Sequence, residues 1–60
     1  MASFVTVGQP VADGWECVGD DGIRRLLPRS ALDPQIVYLR VGQRLRVHLD
    51  QDQISRARLP

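Results

Sequence analysis

Lysine is absent from this 60-residue chain, cysteine occurs once and aromatic residues number three. Each shortage excludes something. A lone Cys17 rules out an internal disulfide framework and a cysteine-based metal cluster. A lone His48 has no second histidine with which to hold zinc, so it reads as a surface histidine. No apolar run approaches the length that spans a bilayer, and no secretory signal pattern is present. No segment has the length and apolar stripe of a stable helix. The glycine-containing run "VGDDG" lacks a lysine and carries two carboxylates, so it does not make a phosphate-binding loop. Ser30, His48 and an aspartate do not form a recognisable catalytic constellation. These absences lead us to expect a non-catalytic, cytoplasmic protein with no metal, no cofactor, no small-molecule substrate and no membrane partner.

What is present points to a folded β domain. The hydrophobic fraction of 43% exceeds that of a typical disordered chain. Residues 1–60 are enough for one domain with a small core and modest stability. Charge is divided unevenly. Residues 1–21 hold Asp13, Glu16, Asp20 and Asp21 and no base. Residues 22–60 hold all eight arginines against three aspartates. Arginine presents a planar donor fork that suits phosphate and stacks on flat rings, which lysine does not do.

The chain divides into short extended pieces. "SFVTV" (3–7) is strand-like, and Gly8 to Pro10 interrupts it. Asp13-Gly14 is a turn signal before "WECV", and "GDDG" is a hairpin turn before "IRRLL". Pro28 ends that third strand. Ser30 predicts a single helical turn over Ser30 to Asp33, which Pro34 stops. "QIVYL" is too short for periodicity to separate extended from helical structure. "VGQ" is a turn. "RLRVHLD" alternates cleanly, with Leu45, Val47 and Leu49 on one side and Arg44, Arg46, His48 and Asp50 on the other. "DQD" is a hairpin turn before the last strand, "ISRARL". The fold expected is all-β: a five-stranded Greek-key barrel with one short helical turn in the central connection. An SH3-like barrel is the alternative, since closure removes exposed edges. Leu45, Val47 and Leu49 should meet Val5 or Val7, Val18 and Ile23 in the core.

Three pieces carry a family likeness. "DGWECVGDDG", "RRLLPRSAL" and "LRVGQRLRVHLD" follow one another at fitting spacing, with "ISRARLP" behind them. In this the chain resembles the cold-shock domain, a small barrel of the oligonucleotide-binding class. The resemblance implies single-stranded RNA or DNA as partner, with bases stacking on aromatics of an exposed sheet face. Trp15 holds the first aromatic position of that motif. Cys17 stands at the next one, with Glu16 where a glycine is usual. Leu26 or Leu27 and Pro28 replace the aromatic and histidine of the second motif strand. Gly8 and Gln9 stand where the first strand usually carries aromatics. Most of the stacking platform is therefore missing.

The candidate nucleic-acid-binding residues are Trp15, Tyr38 and the arginines Arg24, Arg25, Arg29, Arg44, Arg46, Arg56 and Arg58. Trp15 can be read as an exposed platform or as a core residue, and Tyr38 as a loop contact or as plain packing. Adjacent fourth and fifth strands would gather Arg44, Arg46, Arg56 and Arg58 into one basic patch able to touch phosphates without reading sequence. The function expected is weak, sequence-nonspecific binding of single-stranded nucleic acid. The alternative is a protein-interaction module of a ribonucleoprotein or regulatory complex, favoured by Glu16, Leu26 and Leu27.

Overall fold

The computed structural model describes residues 2–60, with only the backbone of Ala2. It contains five antiparallel strands and one helical turn. These are β1 (Ala2–Val11), β2 (Gly14–Gly19), β3 (Arg24–Pro28), the 3-10 turn Arg29–Ala31, β4 (Arg44–Asp50) and β5 (Gln53–Arg58). The all-β expectation holds, and the order β3-β2-β1-β4-β5 is consistent with a generic oligonucleotide-binding topology.

The barrel expectation does not hold. The sheet is open, ending in β3 on one side and β5 on the other. These end strands approach within 8 Å between Cα atoms, but no ladder joins them among the described residues. The reason lies in the strands themselves. β3 has five residues and ends at Pro28, which has no amide proton to offer a ladder. The edge of β5 is already taken: Leu32 bridges Ala57, and the Asp33 amide donates to the Ala57 carbonyl at 2.9 Å. The SH3-like alternative, equally a closed barrel, falls with it.

β1 is longer than its sequence suggested. Gly8 to Pro10 does not end it but produces an irregularity in pairing with β2 between Val7 and Pro10. Gly8 is required there, because a Cβ would come within 2.8 Å of the Glu16 carbonyl oxygen. The β4–β5 hairpin closes through Gln51 and Asp52, both at positive φ (52° and 69°), as a two-residue turn with the strand-matching twist. The helical turn covers Arg29–Ala31 rather than Ser30 to Asp33. Extended Pro28 precedes it and no side chain caps it, so Ser30 is not its cap. Residues 36–40 form neither strand nor helix.

The core gathers Val5, Val7, Cys17, Leu27, Leu45 and Val47, all nearly inaccessible, with Ala31, Leu39, Ile54 and Ala57. Leu45 and Val47 sit where the alternation put them, while Leu49 is half-buried. Val18 and Ile23 were expected inside and are exposed (39% and 48%). Val18 follows Cys17, and Cys17 pairs with buried Val7, so the next side chain must point outward. Ile23 lies in the β2–β3 turn, outside either strand. Burial pushes the Cys17 thiol above its ordinary range, in keeping with a small apolar core residue.

Candidate nucleic-acid interface

Register decides which candidate residues share a face. β4 alternates exposed Arg44, Arg46 and His48 with inward Leu45 and Val47. On β5 the inward residues are Ile54 and Ala57, three apart. The pairing shifts between His48 and Leu49, which leaves Ser55 as an extra residue, and its hydroxyl donates to the His48 carbonyl at 3.1 Å. Beyond this bulge the pairs are His48 with Arg56 and Arg46 with Arg58. Directly opposed residues of an antiparallel pair have Cβ atoms about 5 Å apart and stand on the same face. Arg46, His48, Arg56 and Arg58 therefore form one outward cluster; of the patch expected from sequence, Arg44 lies farther along β4, opposite Thr6 of β1.

β1 extends this face. Phe4 pairs with Arg46, and Thr6 with Arg44. The guanidinium carbons of Arg44 and Arg46 lie 5.7 and 5.8 Å from the Phe4 ring centroid, within cation–π range. Beside the cluster runs a groove of about 670 Å³, bounded by Ser30 to Pro34 on one side and by Arg46, His48, Arg56 and Arg58 on the other.

The remaining arginines are placed differently. Arg44 makes a two-pronged contact with Asp20, at 2.8 and 3.0 Å. This hydrogen bonding holds the Asp20 carboxyl below its ordinary value and raises that of Arg44. Arg25 pairs with Cys17 on the inward side of β3, and its side chain is only 8% exposed. Its Nη2 lies 2.6 Å from Asp52 Oδ1 and 3.3 Å from Asp21 Oδ2, and its Nε donates to the Asp52 carbonyl at 3.2 Å. Arg25 thus spans the opening between β3 and the β4–β5 turn. The backbone amide of Ile23 and then Arg25 hold Asp21 below its ordinary value. Arg24 is exposed on the outer face of β3, opposite Val18.

Trp15 lies on the other side of the sheet. It is two residues before buried Cys17, pairs with Leu27 and Pro10, and packs half-buried against the core. Arg29 covers its ring at 5.0 Å. Tyr38 is 78% exposed and lines a shallow pocket with Trp15, Arg29, Ile36 and Leu39. The nine candidates therefore divide into an outward group on β4–β5, a Trp15–Arg29–Tyr38 group at the central connection, Arg24 alone on outer β3, and Arg25 as a structural clasp. Phe4, absent from the nine sequence candidates, is the aromatic of the basic face. Its signal was its place in an alternating strand with inward Val5 and Val7.

Among the described residues no group of three His, Cys, Asp or Glu side chains could hold a metal ion, and no helix is long and apolar enough to cross a membrane. No family model, curated protein or solved structure matches the chain.

Proposed function

We propose that this domain is a non-catalytic binder of single-stranded nucleic acid, weak and indifferent to sequence, acting through the outer face of β4–β5. One observation carries the reading. Arg46 opposes Arg58 and Arg56 opposes His48, and none of the three arginines has an ion-pair partner among the described residues. Like charges facing each other across a strand pair destabilise a sheet. A polyanion laid along the face would offset that repulsion and release its own counterions. The Phe4 ring and the flat guanidinium groups offer surfaces on which unstacked bases can lie. The likeness of "RSAL" and "VGQRLRV" to cold-shock segments points to the same ligand class.

Fluorescence anisotropy with a labelled short RNA, across a salt series, tests this. Affinity should fall steeply with salt. Changing Arg46 and Arg58 together to glutamine should flatten the log–log slope by about 1.4, at 0.7 per phosphate contact on a single strand. A duplex of equal length should compete less well. Absence of binding at low salt and high protein concentration would remove the proposal.

A further inference from the structure

The outer face of β2–β3 carries a different pattern. Four exposed side chains form a square: Glu16 lies opposite Leu26, and Val18 lies opposite Arg24. One diagonal of the square is apolar, Val18 to Leu26, with exposures of 39% and 51%. The other diagonal is charged, Glu16 to Arg24. Diagonal neighbours on a sheet lie about 7–8 Å apart, and Glu16 and Arg24 form no ion pair with each other or with any other described residue.

This square is self-complementary. Consider a second copy laid face to face, related by a two-fold axis running along the Val18–Leu26 diagonal. The rotation places Val18 on Val18 and Leu26 on Leu26. It also exchanges the two charged corners, so each Glu16 meets the Arg24 of the other copy. A two-fold contact must present the same patch from both sides, and here that operation matches apolar with apolar and acid with base. Sheets pack in this manner about 10 Å apart.

We infer that the β2–β3 outer face is a homodimer surface and that its occupant is a second copy of this chain. Two short strands per copy bury less than the 1,200 Å² or so of a standard interface. The dimer is therefore weak and forms with rising concentration. Arg46, Arg56 and Arg58 stand on β4–β5 and are not needed for it. The inference does not rest on the nucleic-acid reading.

Sedimentation equilibrium without nucleic acid, from about 10 µM to 1 mM protein, reads the association; a dissociation constant on the order of 100 µM suits so small a contact. Glu16→Arg and Arg24→Glu should each weaken dimerisation by about tenfold or more, because each sets like charges against one another. The double variant carrying both reversals should restore it, since the two charges have only changed places. Leu26→Ser should also weaken it while leaving the thermal melt intact, because Leu26 is outside the core. A monomer throughout the range overturns the inference. So does a dimer whose strength the single reversals leave unchanged, or one that the double reversal fails to restore.

Discussion

The β2–β3 and β4–β5 hairpins are built on the same alternation yet handle their charge in opposite ways. At the β2–β3 turn the aspartates are answered by arginines, while Glu16 and Arg24 on the outer face stay without an ion pair among the described residues. Arg25 is held between Asp21 and Asp52, and Asp20 reaches out to Arg44. On β4–β5, Arg46 and Arg58 face each other across the strands and Arg56 faces His48, with no carboxylate paired to any of the three arginines among the described residues. The difference teaches that an arginine's role here depends on which carboxylates the register brings within reach. Arg25 and Arg46 are indistinguishable by residue type and sit in similar alternating strands. One fastens the ends of the sheet; the other stands exposed with no ion-pair partner among the described residues.

The largest expected effect tests whether the two hairpins share one core. Leu27 belongs to β3 and Leu45 to β4, and both are fully buried in the same cluster. Truncating either to alanine should cost about 2–5 kcal/mol, comparable to the whole stability of so small a domain. Circular dichroism should show both variants largely unfolded at room temperature. Retention of one hairpin's structure in either variant would break the comparison, since each hairpin would then stand on its own.

Trp15→Ala comes next. This side chain is partly buried against the core beneath Arg29, so its loss should cost about 2 kcal/mol of stability in a denaturant melt. Because Trp15 lies away from the β4–β5 face, the salt slope for RNA binding should stay unchanged.

Arg25→Gln and Arg46→Gln sharpen the contrast directly. The first removes a nearly buried guanidinium from two carboxylates and a carbonyl, and should lower the melting temperature. The second relieves repulsion with Arg58, and should leave the melting temperature unchanged or slightly raised while weakening RNA binding. Equal melting temperatures for the two variants would erase the distinction between clasp and ligand face.

The smallest effect is acid sensitivity. The carboxyls of Asp20 and Asp21 lie below their ordinary value of 3.8 in the folded chain, through hydrogen bonds from Arg44 and from Ile23 and Arg25. A lowered folded value means that the unfolded chain binds protons more readily. Their stabilisation is therefore complete above that ordinary value and is lost as pH falls through the lowered folded values. Melts between pH 5 and pH 2 should show a modest decline that Asp20→Asn and Asp21→Asn together reduce.

Much of the strand plan was legible from residues alone. The β4 alternation read correctly because leucine and valine interleave with arginine and histidine, leaving no doubt about its inward side. The hairpins at Asp20–Gly22 and Asp50–Asp52 read correctly because their polar residues and glycine punctuate apolar runs. β2 was harder. In "GWECVG" the pairs Trp15–Cys17 and Glu16–Val18 each carry an apolar member, so alternation defines two faces without saying which is buried. The likeness to a motif with exposed aromatics pointed to the wrong one for Trp15. The irregularity at Val7 to Pro10 and the bulge at Ser55 were hidden for a related reason: each inserts a residue that period two does not anticipate.

By itself, the sequence determined that the chain is all-β, that hairpin turns fall near Asp20–Gly22 and Asp50–Asp52, that β4 buries Leu45 and Val47, and that positive charge concentrates after Gly22. Those properties are local: they follow from the pleat, from turn chemistry and from the order of residue types. Only the tertiary structure decided that Trp15 packs inward, that Arg58 meets Arg46, that Arg25 finds Asp52, and that the sheet stays open. Each of these depends on a partner distant in the chain, and register between strands is chosen by the packing of the whole core.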